Sequence, residues 1–217
     1  NEISAVVQPR IHSSNKNKLE DVVPLRTPYS VHIDVCSYCN FKCSFCFQAD
    51  TSGKKEKNFP HGMMKMDLFK KTVDDLKEFP DKIKKIKIGN HGEPTMHPDL
   101  PKHVEYARKS GVADIIEIFT NGSKLNPKLN KELVDAGLQR INISLEGLSS
   151  DRYLKVAKAK INWEDFVANI KHLFDYSRSK GDLVIYVKVV NNASELDGKT
   201  VFSLSDEEKN YFYKFLS

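Results

Sequence analysis

The segment Cys39-Asn40-Phe41-Lys42-Cys43-Ser44-Phe45-Cys46 holds three of the chain's four cysteines, separated by three and then two residues. Three thiolates offered from one short loop can hold three irons of a cubane cluster and leave the fourth iron without a protein ligand, whereas a closed structural site needs four ligands. An open iron can bind something else. The fourth cysteine, Cys36, completes two CxxC pairs with Cys39 and with Cys43 and Cys46, which is the rival zinc pattern. Only three residues separate those pairs, however, and tetrahedral zinc modules place a loop of about a dozen or more between their knuckles. Cys36 reads instead as a small buried residue ending a strand.

Three further polar groups fall after apolar runs: Gly89-Asn90-His91-Gly92-Glu93-Pro94, Thr120-Asn121-Gly122 and Ser144-Leu145-Glu146-Gly147. By themselves they are turn chemistry, because Asn-Gly and Glu-Gly mark tight turns in any protein. His61, His97, His103 and His172 show no metal spacing and read as surface or capping residues. Lys54 to Lys57 is a charge run in the loop after the cysteines, placed where a lid would lie.

The elements that must position these groups follow from the periodicity. Residues 1–28 are a polar, irregular leader broken by Pro9, Pro24 and Pro28. From residue 29 onward, five short β-branched or apolar runs recur: Ser30 to Cys36, Ile83 to Gly89, Asp114 to Phe119, Arg140 to Leu145 and Leu183 to Val190. Helix spacing lies between them. Trp163, Phe166, Val167, Ile170, Leu173 and Phe174 form one stripe, Met66, Phe69, Val73 and Leu76 a second, and Leu129, Leu133 and Val134 a third. Gly111, Gly137 and Gly181 stand where those helices should stop. Strand and helix in alternation predict an α/β domain with a parallel sheet. Lys85, Lys87 and Lys188 interrupt the second and fifth strands, a partial alternation compatible with a barrel wall or an open sheet. A last helix spans Ser205 to Phe215.

The motifs resemble those of the radical S-adenosylmethionine superfamily, whose signature is CxxxCxxC with an aromatic before the last cysteine, here Phe45. The Gly89–Pro94 segment is similar to the family's GGEP motif, with His91 in place of its first glycine. The resemblance covers residues 29 to 191 and implies a partial (β/α)6 TIM-like barrel, truncated here after its fifth strand, in residues 29–217. It implies Cys39, Cys43 and Cys46 as ligands of one 4Fe-4S cluster and S-adenosylmethionine as the second cofactor. Phe45 would then lie near the adenine, Gly92 would allow close backbone approach, and Glu93 would meet the cofactor's ammonium. Thr120, Asn121 and Ser144 would bond its ribose and carboxylate. Val190, with Val187 and Val189, would line the adenine pocket, with Lys188 and Asn191 as polar contacts. Reductive cleavage of S-adenosylmethionine would yield a radical that abstracts hydrogen from a substrate, an oxidoreductase or maturase type of reaction.

Within the superfamily, the sequence looks most like members carrying a C-terminal SPASM extension for auxiliary clusters, although no cysteine follows Cys46. A glycyl-radical activating enzyme is the alternative within the class. Outside it stands a non-catalytic zinc or iron–sulfur binding module held by all four cysteines. The implied partners are a peptide or small-molecule substrate and a low-potential electron donor such as ferredoxin or flavodoxin.

Composition agrees with an enzyme core. The chain has 217 residues, long enough for one sizeable α/β domain, and its 34 basic and 29 acidic residues give a mild net charge of +5. The lysines are scattered rather than striped with aromatics, so a nucleic-acid surface is not indicated. No apolar run spans a bilayer, no secretory signal is visible, and clustered cysteines suit a reduced compartment, so a cytoplasmic protein is expected. The absence of an initiator methionine suggests a processed form or part of something longer.

Overall fold

The computed structural model describes residues 18–46, 48, 61–181, 183–189, 192–193 and 202–216. Residues 27–189 form one compact unit; residues up to 26 and from 190 onward form a second. The first unit is built from β1 (Ser30–Ile33), α1 (Met66–Asp75), β2 (Ile83–Ile88), α2 (Leu100–Ser110), β3 (Ala113–Thr120), α3 (Pro127–Asp135), β4 (Arg140–Leu145), α4 (Ser150–Ala157), α5 (Trp163–Lys180) and β5 (Val184–Val189). The second contains a two-stranded antiparallel ribbon, β6 (Asn192–Ala193) with β7 (Phe202–Ser203), and α6 (Asp206–Leu216).

The five main strands lie in the order β1-β2-β3-β4-β5, every pair parallel. Chain order and sheet order coincide, the arrangement that successive strand–helix–strand crossovers produce. Because side chains alternate across a sheet, the strands present two faces. Ile86, Ile88, Ile116, Ile118, Ile141, Ile143 and Leu145 occupy one face and are fully buried. Each such side chain favours the fold by about 1.5–3 kcal/mol. The opposite face carries Lys85, Lys87, Glu117, Arg140 and Lys188, so the lysines that interrupt the strand pattern mark a polar side of the sheet.

The helices present the expected stripes. Phe69 and Val73 of α1, Leu133 of α3, and Phe166, Ile170 and Leu173 of α5 are buried. Asn126, Ser149 and Asn162 cap α3, α4 and α5 by accepting hydrogen bonds from the first free backbone N–H groups. Gly111 ends α2 in the left-handed conformation. Gly181 follows α5 at φ 155° and ψ −147°, outside that conformation, so the expected left-handed stop does not apply there. The short helix α4 is a new element. It stops at Lys158, which adopts the left-handed conformation without being glycine, so no glycine marked its end.

Of the histidines expected at the surface or in caps, His97 does cap the turn Pro94–Met96 although it is buried, and His103 departs from both roles. His97 and His103 are buried, ring against ring with centroids 4.5 Å apart, and His103 also meets Phe69 edge-on at 4.6 Å. His103 Nδ1 lies 2.8 Å from the Asp99 carbonyl oxygen. Burial holds the His103 pKa below its usual value of 6.5. The unfolded chain therefore takes up a proton near pH 6.5 that the folded chain refuses until lower pH, and stability is lost as pH falls through that window. Urea unfolding of wild type should lose on the order of 1 kcal/mol more than His103→Gln between pH 7.5 and pH 5.5. Equal losses would show that His103 is not held neutral.

Candidate active site

The cysteine loop leaves the C-terminal end of β1 and is fixed on several sides by hydrogen bonds. Its base pairs with the returning chain, Ser37 N–H donating to Gly62 O at 3.0 Å and Met64 N–H to Val35 O at 2.8 Å. Glu93 N–H, in the loop after β2, donates to Tyr38 O at 2.7 Å. Lys42 and Ser44 donate their N–H groups to Ala157 O and Val156 O at the end of α4, at 2.8 and 3.0 Å. Phe41, buried between these ties, meets Tyr153 of α4 edge-on at 5.7 Å. From the loop after β3, Asn121 Nδ2 donates to Asn40 Oδ1 at 3.0 Å and, more weakly, to Cys39 Sγ at 3.9 Å. Asn40 in turn donates to Ser123 Oγ.

Cys39, Cys43 and Cys46 come together in this frame. Cys43 is buried, the other two are partly exposed, and Cys46 lies close enough to Cys39 and Cys43, and Cys39 to Cys43, for charge on the one to act on the other. Burial pushes the Cys39 and Cys43 thiols up, and the charges acting on Cys43 (Glu146, Cys39 and Cys46) are all negative. Thiols gathered without a compensating cation bind metal or keep their protons. That donor set fits an iron–sulfur cluster, whose irons supply the missing positive charge. Among the described residues no three His, Cys, Asp or Glu side chains converge tightly enough for a single metal ion. Cys36 stands apart: fully buried, bridged to Met63, its thiol donating to Tyr38 O, with Glu93 as its charged neighbour. A cavity of about 250 Å³ opens beside the loop, lined by Tyr38, Cys39, Phe41, Lys42, Gln48 and His61.

Gly92 and Glu93 lock the β2 loop against this frame. Gly92 has φ 135°, and a Cβ there would fall within 2.9 Å of Ser37 Cα and closer still to the Cys36 carbonyl oxygen. Glu93 is 1% exposed. Its Oε1 accepts from Thr95 N–H at 3.0 Å, from the Thr95 hydroxyl and from Thr120 Oγ1 at 2.6 Å, and its Oε2 accepts from Asn121 N–H at 2.6 Å. The carboxylate expected to meet a ligand's ammonium is thus engaged inside the chain, tying the loop after β2 to the end of β3. Thr120 is committed likewise, donating to Glu93 while accepting from Gly122 N–H at 3.0 Å. His91 pairs with Asp34 at 2.8 Å, a local contact that closes the β1 and β2 ends together.

Ser144 is half-buried near the end of β4, and Phe45 is 56% exposed. Val190 and Asn191, like Lys54 to Lys57, lie outside the described residues. Glu146, a turn residue by sequence alone, is close enough to Cys43 to raise that thiol. Its Oε2 is buried without a hydrogen-bond partner among the described residues, and burial pushes its pKa up to about 7. The one sequence signal for it was its place two residues beyond Ser144.

A family model described as the Radical SAM superfamily matches residues 33–196. Among curated proteins, the chain is 35% identical over 118 residues to a tungsten-containing aldehyde ferredoxin oxidoreductase cofactor-modifying protein of Pyrococcus furiosus, covering 54% of this chain and 31% of the relative. It is 30% identical over 175 residues to an Fe-coproporphyrin III synthase of Methanosarcina barkeri, covering 79% of this chain and 39% of the relative. The chain thus spans about a third to two-fifths of the length of these relatives. In fold it is similar to Streptococcus suis SuiB bound to S-adenosylmethionine (TM-score 0.65, 17% identity, 91% of this chain and 40% of that one). It is also similar to anSMEcpe with bound AdoMet (TM-score 0.54, 19% identity, 76% and 44%). The ordered five-stranded parallel sheet agrees with these folds, and the family match runs through the cysteine loop and the strand ends that hold it. The chain belongs to the radical SAM superfamily.

Proposed function

We propose that this chain is the catalytic core of a radical S-adenosylmethionine enzyme, with Cys39, Cys43 and Cys46 holding one 4Fe-4S cluster. The carrying observation is the cysteine loop itself: three mutually close thiols on a segment pinned to the β2 loop, the β3 loop and α4, with Cys36 outside the set. When bound, the cluster and S-adenosylmethionine supply a low-potential electron and a 5′-deoxyadenosyl radical that removes a hydrogen atom from substrate.

The protein's own contribution is positional. Asn121 donates toward Cys39 and Asn40, fixing one end of the loop, while backbone bonds to α4 fix the other. Glu93, through Thr95, Thr120 and Asn121, holds the β2 and β3 ends at a set spacing, so it acts as a positioning residue. Ser144 and Glu146 at the end of β4 are polar groups, among the described residues, available to meet S-adenosylmethionine, and Phe45 is an exposed aromatic of the cysteine loop. The substrate is a peptide or small molecule, and the electron donor is of the low-potential ferredoxin or flavodoxin class. Among the described residues no helix is long and apolar enough to cross a membrane. An iron–sulfur loop of free thiols suits the reducing cytoplasm.

Anaerobic reconstitution with iron and sulfide, reduction with dithionite and addition of S-adenosylmethionine should release 5′-deoxyadenosine and methionine in equal amounts. A cluster that forms without that cleavage would overturn the open-iron reading.

A further inference from the structure

Among the described residues, the polar face of the main sheet gathers several cations about one buried carboxylate, Glu117. Register places Lys87, Glu117 and Arg140 side by side on β2, β3 and β4, and Ser144 beside Lys188 on β4 and β5. Glu117, 2% exposed, has Arg140 Nη1 at 3.3 Å, Lys85 Nζ at 3.8 Å and Lys87 Nζ at 3.9 Å. Lys188 joins them through Phe119, whose ring lies under both its ammonium at 5.1 Å and that of Lys87 at 5.4 Å. One carboxylate therefore faces three cations, with a fourth against the Phe119 ring that it shares with Lys87. Of the acids near the strand ends, Asp34 already accepts from His91 and from the backbone N–H groups of Asn90 and His91, and Glu146, one residue beyond β4, is buried near Cys43.

Such a cluster is costly to hold. Like charges on neighbouring strands repel, and burial together with Lys85 and Lys188 holds the Lys87 pKa below its usual value against the pull of Glu117. The face also keeps hydrogen-bonding capacity in reserve. Glu117 Oε1, Arg140 Nε and Asn142 Oδ1 are buried with no hydrogen-bond partner among the described residues. A fold that needed only to be stable would place aliphatic side chains here, as it does on the opposite face.

The location gives the charge a use. Lys87 lies two residues before Gly89, Phe119 directly precedes Thr120, and Lys188 is in register with Ser144. At about 3.3 Å per residue along a strand, Lys85, Lys87 and Lys188 sit within roughly 3–10 Å of the C-terminal ends of their strands, while Arg140, at the start of β4, joins the cluster through its register with Glu117. Lys188 is exposed and Lys85 and Lys87 partly so, which leaves them open to a ligand from solvent.

We infer that Lys85, Lys87, Arg140 and Lys188 bind the anionic part of a small substrate, a group with two or more negative charges borne on phosphates or carboxylates. The inference rests on the radical reading above and names the substrate class for it. Ammonium and guanidinium groups meet phosphate or carboxylate oxygens through charge-assisted hydrogen bonds, and Glu117 fixes their spacing. A neutral peptide would leave the excess charge unmatched.

The test is calorimetric titration of the reconstituted protein, at low ionic strength, with inorganic tripolyphosphate and separately with tricarballylate. Wild type should bind at least one of them, and which one binds separates the phosphate source from the carboxylate source. Lys87→Gln and Lys188→Gln should each weaken binding about tenfold, with folded structure checked by circular dichroism. Lys171→Gln, on the exposed side of α5, should leave affinity unchanged. Absence of binding by both anions, or equal weakening by Lys171→Gln, would overturn the inference. The same wild-type preparation, assayed for 5′-deoxyadenosine without either anion, reports on the radical reading alone. Anion binding without the nucleoside would sink that reading and keep the anion site, and the nucleoside without anion binding would do the reverse.

Discussion

Cys43→Ala should emerge from anaerobic reconstitution without a brown chromophore, and its 5′-deoxyadenosine formation should fall more than about a thousandfold, roughly 4 kcal/mol in barrier. Cys43 is the central thiol of the three and the most buried, with Cys39 and Cys46 as electrostatic neighbours. Removing it leaves two thiols for a cluster that needs three ligands. Cys36 cannot stand in, because it is buried elsewhere and its thiol donates to Tyr38 O. The fold should survive the change. The loop is held by backbone bonds from Lys42 and Ser44 to α4, which alanine at position 43 does not touch, and the lost packing is a single sulfur. Circular dichroism should therefore match wild type while iron and sulfide content collapses. Cys36→Ala supplies the contrast, retaining its cluster at a stability cost of about 1 kcal/mol. Full iron and sulfide in Cys43→Ala, or cluster loss in Cys36→Ala, would overturn the ligand assignment.

Local signals carried the strands and the cysteine spacing. The aliphatic runs of β2, β3 and β4 are short and bounded by turn residues, so each stands out in sequence to within a residue or two. The end of α4 did not, because Lys158 rather than glycine takes the left-handed cap. What stayed hidden depends on contacts between distant segments. Glu93 looks like a loop carboxylate until Thr120 and Asn121, 27 and 28 residues away, are found bonded to it. His103 looks like a surface residue of a polar helix until Phe69 and His97 close over it. The lysines of β2 and β5 read as weak alternation; only the register across β2, β3, β4 and β5 brings them around Glu117 and Phe119. Periodicity reports which side chains share a face, and it says nothing of which strands are neighbours.

Gly92→Ala should be the most damaging single-methyl change near the site, costing roughly 3–5 kcal/mol of stability and lowering cluster content further than stability alone explains. The backbone at Gly92 has φ 135°, which L side chains rarely adopt, and the added Cβ would meet Cys36 O and Ser37 Cα, both main-chain atoms. Side-chain rotation cannot relieve such an overlap. One of the two strand-end loops must move, and Glu93 N–H donates to Tyr38 O immediately before Cys39. Cys43 and Cys46 are tied to α4 through the bonds of Lys42 and Ser44, so displacement of the β2 loop shifts Cys39 against the other two thiols. Gly111→Ala separates this close approach from ordinary backbone strain. Gly111 has φ 68° and, among the described residues, nothing within 4 Å of where a Cβ would stand, so alanine there should cost only about 1 kcal/mol and leave cluster content unchanged. Chemical unfolding, with iron and sulfide analysis of both variants, decides the matter. Equal penalties for the two glycines would mean that the packing of Gly92 on Cys36 and Ser37 does not set the geometry of the cysteine loop.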